Sequence, residues 1–133
     1  MGVAYYISTE KELEGVAVED FGGKPLAHAD DYFEQNNIYE AAGVLSLMDF
    51  FGDDPRDTLG SEAFDNVPEE NLVEKWFEAA EGLRTVAALK KHLEEKPKAL
   101  KNPKGVLEDL NDLEHVLTIC QQREIKWHLS LDI

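Results

Sequence analysis

Apolar and polar positions alternate most strictly near the C-terminal end of the chain. The apolar set is Ile125, Trp127, Leu129, Leu131 and Ile133, and the polar set between them is Lys126, His128, Ser130 and Asp132. A period of two is typical of a strand that buries one face and exposes the other. Residues 3–8, VAYYIS, are β-branched and aromatic and predict a second strand. A terminal strand frays unless it is paired, so we expect these two strands to be neighbours in one sheet.

Three other segments show the helical spacing of apolar residues at i, i+3 and i+4. They lie in residues 26–37, 83–93 and 106–123, with apolar stripes of Leu26, Ala29, Tyr32 and Phe33, of Leu83, Val86, Leu89 and Leu93, and of Val106, Leu110, Leu113 and Cys120. The short apolar run of residues 44–51, VLSLMDFF, predicts a short helix packed on the core. Residues 16–18 predict a small strand that forms a hairpin with residues 3–8, and residues 53–67 predict a loop.

Another helix is predicted from Pro68, because proline followed by acidic residues is typical of a first helical turn. Glu81-Gly82 would then break or kink it. Trp76 and Phe77 are adjacent in this segment, and helical neighbours point about 100° apart. Both therefore cannot face one narrow core stripe, so one of them is expected to be exposed or to fill a boundary position. Core packing is the simpler interpretation of the pair, and a binding surface is the alternative.

These elements predict one α+β domain that spans residues 1–133. Its sheet is small and mainly antiparallel, with the first and last strands adjacent, and about four helices pack against it. A chain of this length buries enough apolar surface to fold without disulfides or a structural metal ion.

The charge of the chain is strongly acidic and unevenly placed. Thirteen Lys and Arg residues against 28 Asp and Glu residues give a net charge of −15. Residues 1–80 contain 4 basic and 19 acidic residues, whereas residues 81–133 contain 9 of each. Such a field repels phosphates and anionic lipid headgroups, which disfavours nucleic acid and membranes as partners. It favours a basic partner protein, and it also keeps the protein soluble.

The polar side of the last strand has the composition of a catalytic triad. His128, Ser130 and Asp132 offer a base, a hydroxyl and a carboxylate, and Tyr6 on the neighbouring strand can lie beside them. Residues two apart on a strand are about 7 Å apart, however, and a triad needs successive hydrogen bonds. A solvated sheet face is therefore the simpler interpretation, and a small-ligand or hydrolytic site is the alternative.

Neither a metal site nor a cofactor site is expected. The histidines lack the H-x-x-x-H spacing of a helical metal pair, and the carboxylates between Asp49 and Asp57 lack the D-x-D-x-D-G spacing of a calcium loop. Cys120 is the only cysteine, so it forms no intrachain disulfide, and its place on an apolar stripe indicates a core residue. With no signal-like N-terminus and no long apolar run, we expect a cytoplasmic protein.

Three segments of the chain resemble a family of small uncharacterised bacterial proteins. The segments are GVAYYI near the start, KWFEAAEGLRTVAALKKHL in the middle, and VLEDLNDLEHVL with IKWHLSLDI at the end. The family shares a G-V-x-Y-Y-I strand, a W-F…E-G-L-x-T-V helix and a W-H-L-x-x-D-[IF] ending. The resemblance implies an α+β domain in a bacterial cytoplasm and no known catalytic residue.

The functional hypothesis is a non-enzymatic protein-binding module. In size and charge the chain is similar to small acidic immunity proteins, which neutralise a toxin. Aromatic residues surrounded by acids are typical of a binding hot spot for a basic partner. The residues expected to contact that partner are Trp76, Phe77, Glu70, Glu74, Asp53 and Asp54. The oligomeric state is left open.

Overall fold

The computed structural model describes residues 4–15, 23–52 and 74–132, and for residues 131 and 132 it describes only the backbone. In chain order the elements are β1 (Ala4–Thr9), α1 (Lys24–Gln35), α2 (Ile38–Ala42), a 3₁₀ helix (Leu47–Phe50), α3 (Ala79–Glu95), α4 (Pro103–Arg123) and β2 (Trp127–Asp132). The hairpin strand predicted at residues 16–18, the loop at residues 53–67 and the helix start at Pro68 lie outside the described residues.

The first and last strands pair as the alternation predicts. β1 and β2 are antiparallel, and their register runs from Ala4 opposite Asp132 to Thr9 opposite Trp127. On the other edge of β2, Phe51 and Phe77 form isolated bridges with Leu129 and Trp127. β2 is therefore hydrogen-bonded along both edges, and the predicted α+β fold is confirmed.

α1 matches the helix that the periodicity predicts, and Asn36 and Asn37 follow its last turn. The buried stripe contains Leu26 and Phe33, both fully buried. The run at residues 44–51 is helical only in its last part, as the 3₁₀ helix. Ser46, whose own backbone is extended, caps that helix reciprocally with Asp49.

A carboxylate from α4 caps the start of α1. Gly23, which precedes α1, has φ 67° and offers no side chain to cap the helix. Asp109 instead accepts a hydrogen bond of 3.0 Å from the Leu26 amide. Burial raises the pKa of the Asp109 carboxyl, while the hydrogen bonds from the Leu26 and Gly23 amides oppose the rise. This contact ties the ends of two helices that are far apart in sequence.

Asp109→Ala is expected to lower the free energy of unfolding by about 1–2 kcal/mol, because it removes a helix cap and leaves a buried amide unpaired. Asp109→Asn should lose less, since its amide oxygen still accepts one hydrogen bond. The control is Asp112→Ala, an exposed position on the same helix. Equal losses for Asp109→Ala and Asp112→Ala in urea denaturation would contradict the cap.

α3 and α4 form the largest helix–helix contact, and Trp127 lies beneath them. The predicted break at Gly82 is wrong, because α3 runs unbroken from Ala79 to Glu95. Gly82 instead allows close approach: a Cβ there would overlap Cζ2 of Trp127 and lie 2.8 Å from Cδ1 of Leu117. α4 runs from Pro103 to Arg123, so its end agrees with the apolar stripe, while its first turn, capped by Asn102, begins three residues before the predicted start at residue 106.

Within the described residues, no helix is both long enough and apolar enough to cross a membrane.

Candidate functional site

The polar side of β2 is buried, so the prediction of a solvated face is wrong. His128 is 1% exposed and Ser130 is fully buried. The alternation misleads here because Gly52, the Lys75 carbonyl and the Trp76 ring enclose His128 on that side. Of the predicted ligand face, Tyr6 is 44% exposed and pairs with Ser130, while Asp132 pairs with Ala4 and its side chain lies outside the described part.

His128 is held by contacts on its ring face and at its edge. Its ring stacks on Trp76, with the centroids 4.3 Å apart and the planes inclined by 26°. Its Nδ1 donates a hydrogen bond of 2.8 Å to the Lys75 carbonyl, which can only accept. Gly52 completes the enclosure, since a Cβ there would lie 2.5 Å from Nδ1 and would also overlap the Lys75 oxygen. A ligand can reach the face of the His128 ring that stacks on Trp76 only if the indole of Trp76 moves away.

Ser130 has a hydroxyl partner on the adjacent strand. Its Oγ is 2.9 Å from Oγ of Ser8, and either can be the donor. This contact joins Ser130 to β1 across the sheet. In the described contacts, the side chains of His128 and Ser130 therefore join β2 to its neighbours.

Trp76 and Phe77 lie in an extended segment, and the helix predicted for them is wrong. Phe77 forms a bridge to Trp127, with its amide donating to the Trp127 carbonyl at 2.8 Å. Successive residues of an extended chain point to opposite sides. Phe77 therefore packs at the core side, edge-on to Phe50 with 5.4 Å between ring centroids, while Trp76 covers His128. Both aromatic side chains are half-buried.

The pairs Trp76-Phe77 and Trp127-His128 therefore lie opposite each other, with Phe77 beside Trp127 and Trp76 beside His128. Phe77 and Trp127 pack against Phe50 on the core side of the sheet, and Trp76 covers His128 on the other side. The sequence shows both pairs, but it does not show that they are neighbours, because about fifty residues separate them.

An acidic cavity of about 270 Å³ lies where α1, α2 and the 3₁₀ helix meet. Its apolar wall includes Phe33, Tyr39 and Val44, and its carboxylates are Glu34, Glu40 and Asp49. All three carboxylate residues are exposed. The nearby chain also carries Leu45, 42% exposed, and Met48, 52% exposed. We name this cavity and these two apolar residues the acidic surface.

Sequence reasoning did not find the acidic surface, because its three carboxylates come from three separate elements. The sequence gives a weaker signal, since the predicted partner residues Asp53 and Asp54 lie close to Asp49 along the chain. Among the predicted partner residues, Glu74 is exposed, and Glu70, Asp53 and Asp54 lie outside the described residues.

A buried carboxylate lies below the acidic surface. Asp30 is 3% exposed and accepts hydrogen bonds of 2.6 Å from the hydroxyls of Tyr5 and Tyr39. Burial raises the pKa of Asp30, while these two hydrogen bonds oppose the rise. Burial and the nearby Asp30 also raise the pKa of both phenols, so they remain donors. The sequence signal was an aspartate adjoining the apolar stripe of α1, beside Ala29.

The remaining candidate groups do not assemble into a metal site. Within the described ranges, no group of three His, Cys, Asp or Glu side chains could hold a metal ion. His92 lies 2.9 Å from the Tyr32 hydroxyl through Nε2, and His28 and His115 are exposed. Cys120 is buried as predicted, and burial raises its thiol pKa to about 11, which keeps it from acting as a nucleophile.

Comparison of the chain with protein-family models, with curated proteins and with solved structures gave no significant match.

Proposed function

We propose that the protein is a non-enzymatic module that binds a basic protein partner, in the manner of an immunity protein. The observation that carries the proposal is the acidic surface, where three exposed carboxylates surround an apolar wall on the more acidic part of the chain. Such a surface is suited to a lysine or arginine side chain, whose alkyl stem packs on apolar atoms while its charged end stays near carboxylates.

The two exposed apolar residues of this surface extend the proposed contact. Leu45 and Met48 give a partner apolar area to bury, and methionine adapts to irregular surfaces. The net charge of −15 would steer a basic partner from a distance, which raises the rate of association.

The exposed edge around Trp76 is a second part of the proposed interface. Glu74 and Glu78 are exposed on either side of it along the chain. In this proposal Trp76 and Phe77 contribute the faces that their internal contacts leave accessible. Glu70, Asp53 and Asp54 remain in the proposal on sequence grounds. The proposal also includes a location in a bacterial cytoplasm. It does not include nucleic acid as a partner, because the acidic charge repels phosphate.

The alternative, a small-ligand or hydrolytic site at Tyr6, His128, Ser130 and Asp132, has less support. His128 and Ser130 are buried and occupied with protein contacts.

The first test is capture of the partner by the tagged full chain from host lysate at low and high salt, followed by purification of the captured protein. We expect a basic protein whose association rate falls steeply with salt. Glu34→Gln/Glu40→Gln should slow association by about tenfold, because it removes two carboxylates from the acidic surface.

The matched control is Glu108→Gln/Asp112→Asn, which changes the net charge equally at two exposed positions of α4. It should alter the rate by no more than about twofold, since it lies outside the contact. The proposal fails if no protein is captured specifically, if the affinity is indifferent to salt, or if both double variants slow association equally.

A further inference from the structure

A second cavity, of about 320 Å³, lies between α1 and the connector that joins α3 to α4. Its apolar walls include Pro25, Ala29, Leu100 and Val106, and its polar rim includes His28 and Lys101. Ala29 and Val106 are buried, whereas His28 and Lys101 are exposed. The cavity thus has an apolar floor and a cationic or polar opening.

The connector on one side of this cavity has a charge opposite to that of the whole chain. Residues 96–107 contain four lysines, Lys96, Lys98, Lys101 and Lys104, and no acidic residue. All four are exposed, and none forms an ion pair with a carboxylate among the described residues. No acidic residue lines the cavity either. A positive opening on so acidic a protein favours an anion over a cation.

The size and the walls of the cavity restrict the ligand further. A volume of about 320 Å³ lies at the lower end of the range for small-molecule sites, which are mostly apolar with a few polar groups. The cavity therefore suits one ring or a short alkyl chain, and Tyr32 adds an aromatic surface to it. An anion without an apolar part would leave the floor unfilled.

We propose that this cavity binds a small carboxylate with an apolar body, such as an arylacetate or a short-chain fatty acid, with the carboxylate at Lys101 and the apolar body against Ala29, Leu100 and Val106. The site is separate from the acidic surface and does not depend on the function proposed for it.

The test is a titration of the isotope-labelled full chain followed by amide NMR, with phenylacetate and hexanoate as probes. We expect saturable shifts centred on Ala29, Leu100 and Val106. Phenylacetamide and hexanamide keep the apolar body but lack the charge, and they should bind about fivefold more weakly. Acetate and inorganic phosphate lack the apolar body and should not saturate.

Lys101→Gln should weaken hexanoate binding by about fivefold and leave hexanamide binding unchanged. Lys98→Gln is the matched control, because it removes the same charge from an exposed position that does not line the cavity. The proposal is overturned by shifts centred elsewhere, by no saturation with either probe, by equal binding of acid and amide, or by equal losses in the two lysine variants.

Discussion

Asp30→Ala is expected to lower the free energy of unfolding by about 3 kcal/mol, measured by urea denaturation at neutral pH. Asp30 joins β1 to α2 through Tyr5 and Tyr39, both of which donate to it at 2.6 Å. Removing the carboxylate leaves two hydroxyls in a buried place without their acceptor. An unpaired buried polar group costs more free energy than a hydrogen bond contributes. The expected loss is therefore large for the removal of one small side chain.

Asp30→Asn is the control, because its side chain has the same shape and can still bond both hydroxyls, accepting from one and donating to the other. This variant also separates the effect of the carboxyl charge on stability from the effect of the two hydrogen bonds. Since burial raises the pKa of Asp30, the folded state holds the proton more tightly than the unfolded state. The resulting stabilisation is complete below the unfolded pKa of about 3.9 and is lost as pH rises through the folded pKa.

The wild-type protein should therefore become more stable as pH falls from neutral into the mildly acidic range. Asp30→Asn should show a shallower dependence, by at most about 1.4 kcal/mol per pH unit. Asp109, whose pKa burial also raises, and the relief of charge repulsion remain in the variant and act in the same direction. Identical pH slopes for the two proteins would contradict this account of Asp30, as would a loss below about 1 kcal/mol in Asp30→Ala.

Gly82→Ala is expected to lower the free energy of unfolding by about 2 kcal/mol, although alanine is the better helix former by about 1 kcal/mol. The added methyl group would overlap the indole of Trp127, which is fully buried and stacked on Phe50 with 5.0 Å between ring centroids. The indole has no space to move, so the helix and the sheet must separate slightly. Thermal and urea unfolding of the variant measure the loss.

Two further variants separate packing from helix propensity. Ala87→Gly, at an exposed position of the same helix, should destabilise by about 1 kcal/mol through propensity alone. In a double-mutant cycle, Trp127→Phe should reduce the penalty of Gly82→Ala, because the smaller ring vacates the space that the methyl group needs. If Gly82→Ala stabilises the protein, then close packing is not the reason for the glycine.

The candidate sites differ in how much of them a sequence pattern can indicate. His128 and Ser130 are marked by their place in an alternating strand, and their positions in the sheet follow from it. The burial of His128 does not, because the residues that cover it, Gly52 and Trp76, lie about fifty or more residues away. The acidic surface and the carboxylate-binding cavity each combine residues from separate elements, so neither has a motif along the chain.

Local patterning was sufficient for the elements whose apolar residues recur at one period. α1, α4 and both strands follow from it, because each has one apolar side that must face a core. It failed at Gly82, where a glycine within α3 reflects the indole packed against it rather than a helix end. It failed again at Trp76-Phe77, where pairing with Trp127 replaces helical hydrogen bonds by bonds across strands. The sequence alone determines the net charge and predicts that the two terminal strands are neighbours. The tertiary structure determines the enclosure of His128, the cap from Asp109 and the hydrogen-bond partners of Asp30. These features depend on contacts between residues far apart in the chain, which a local pattern does not describe.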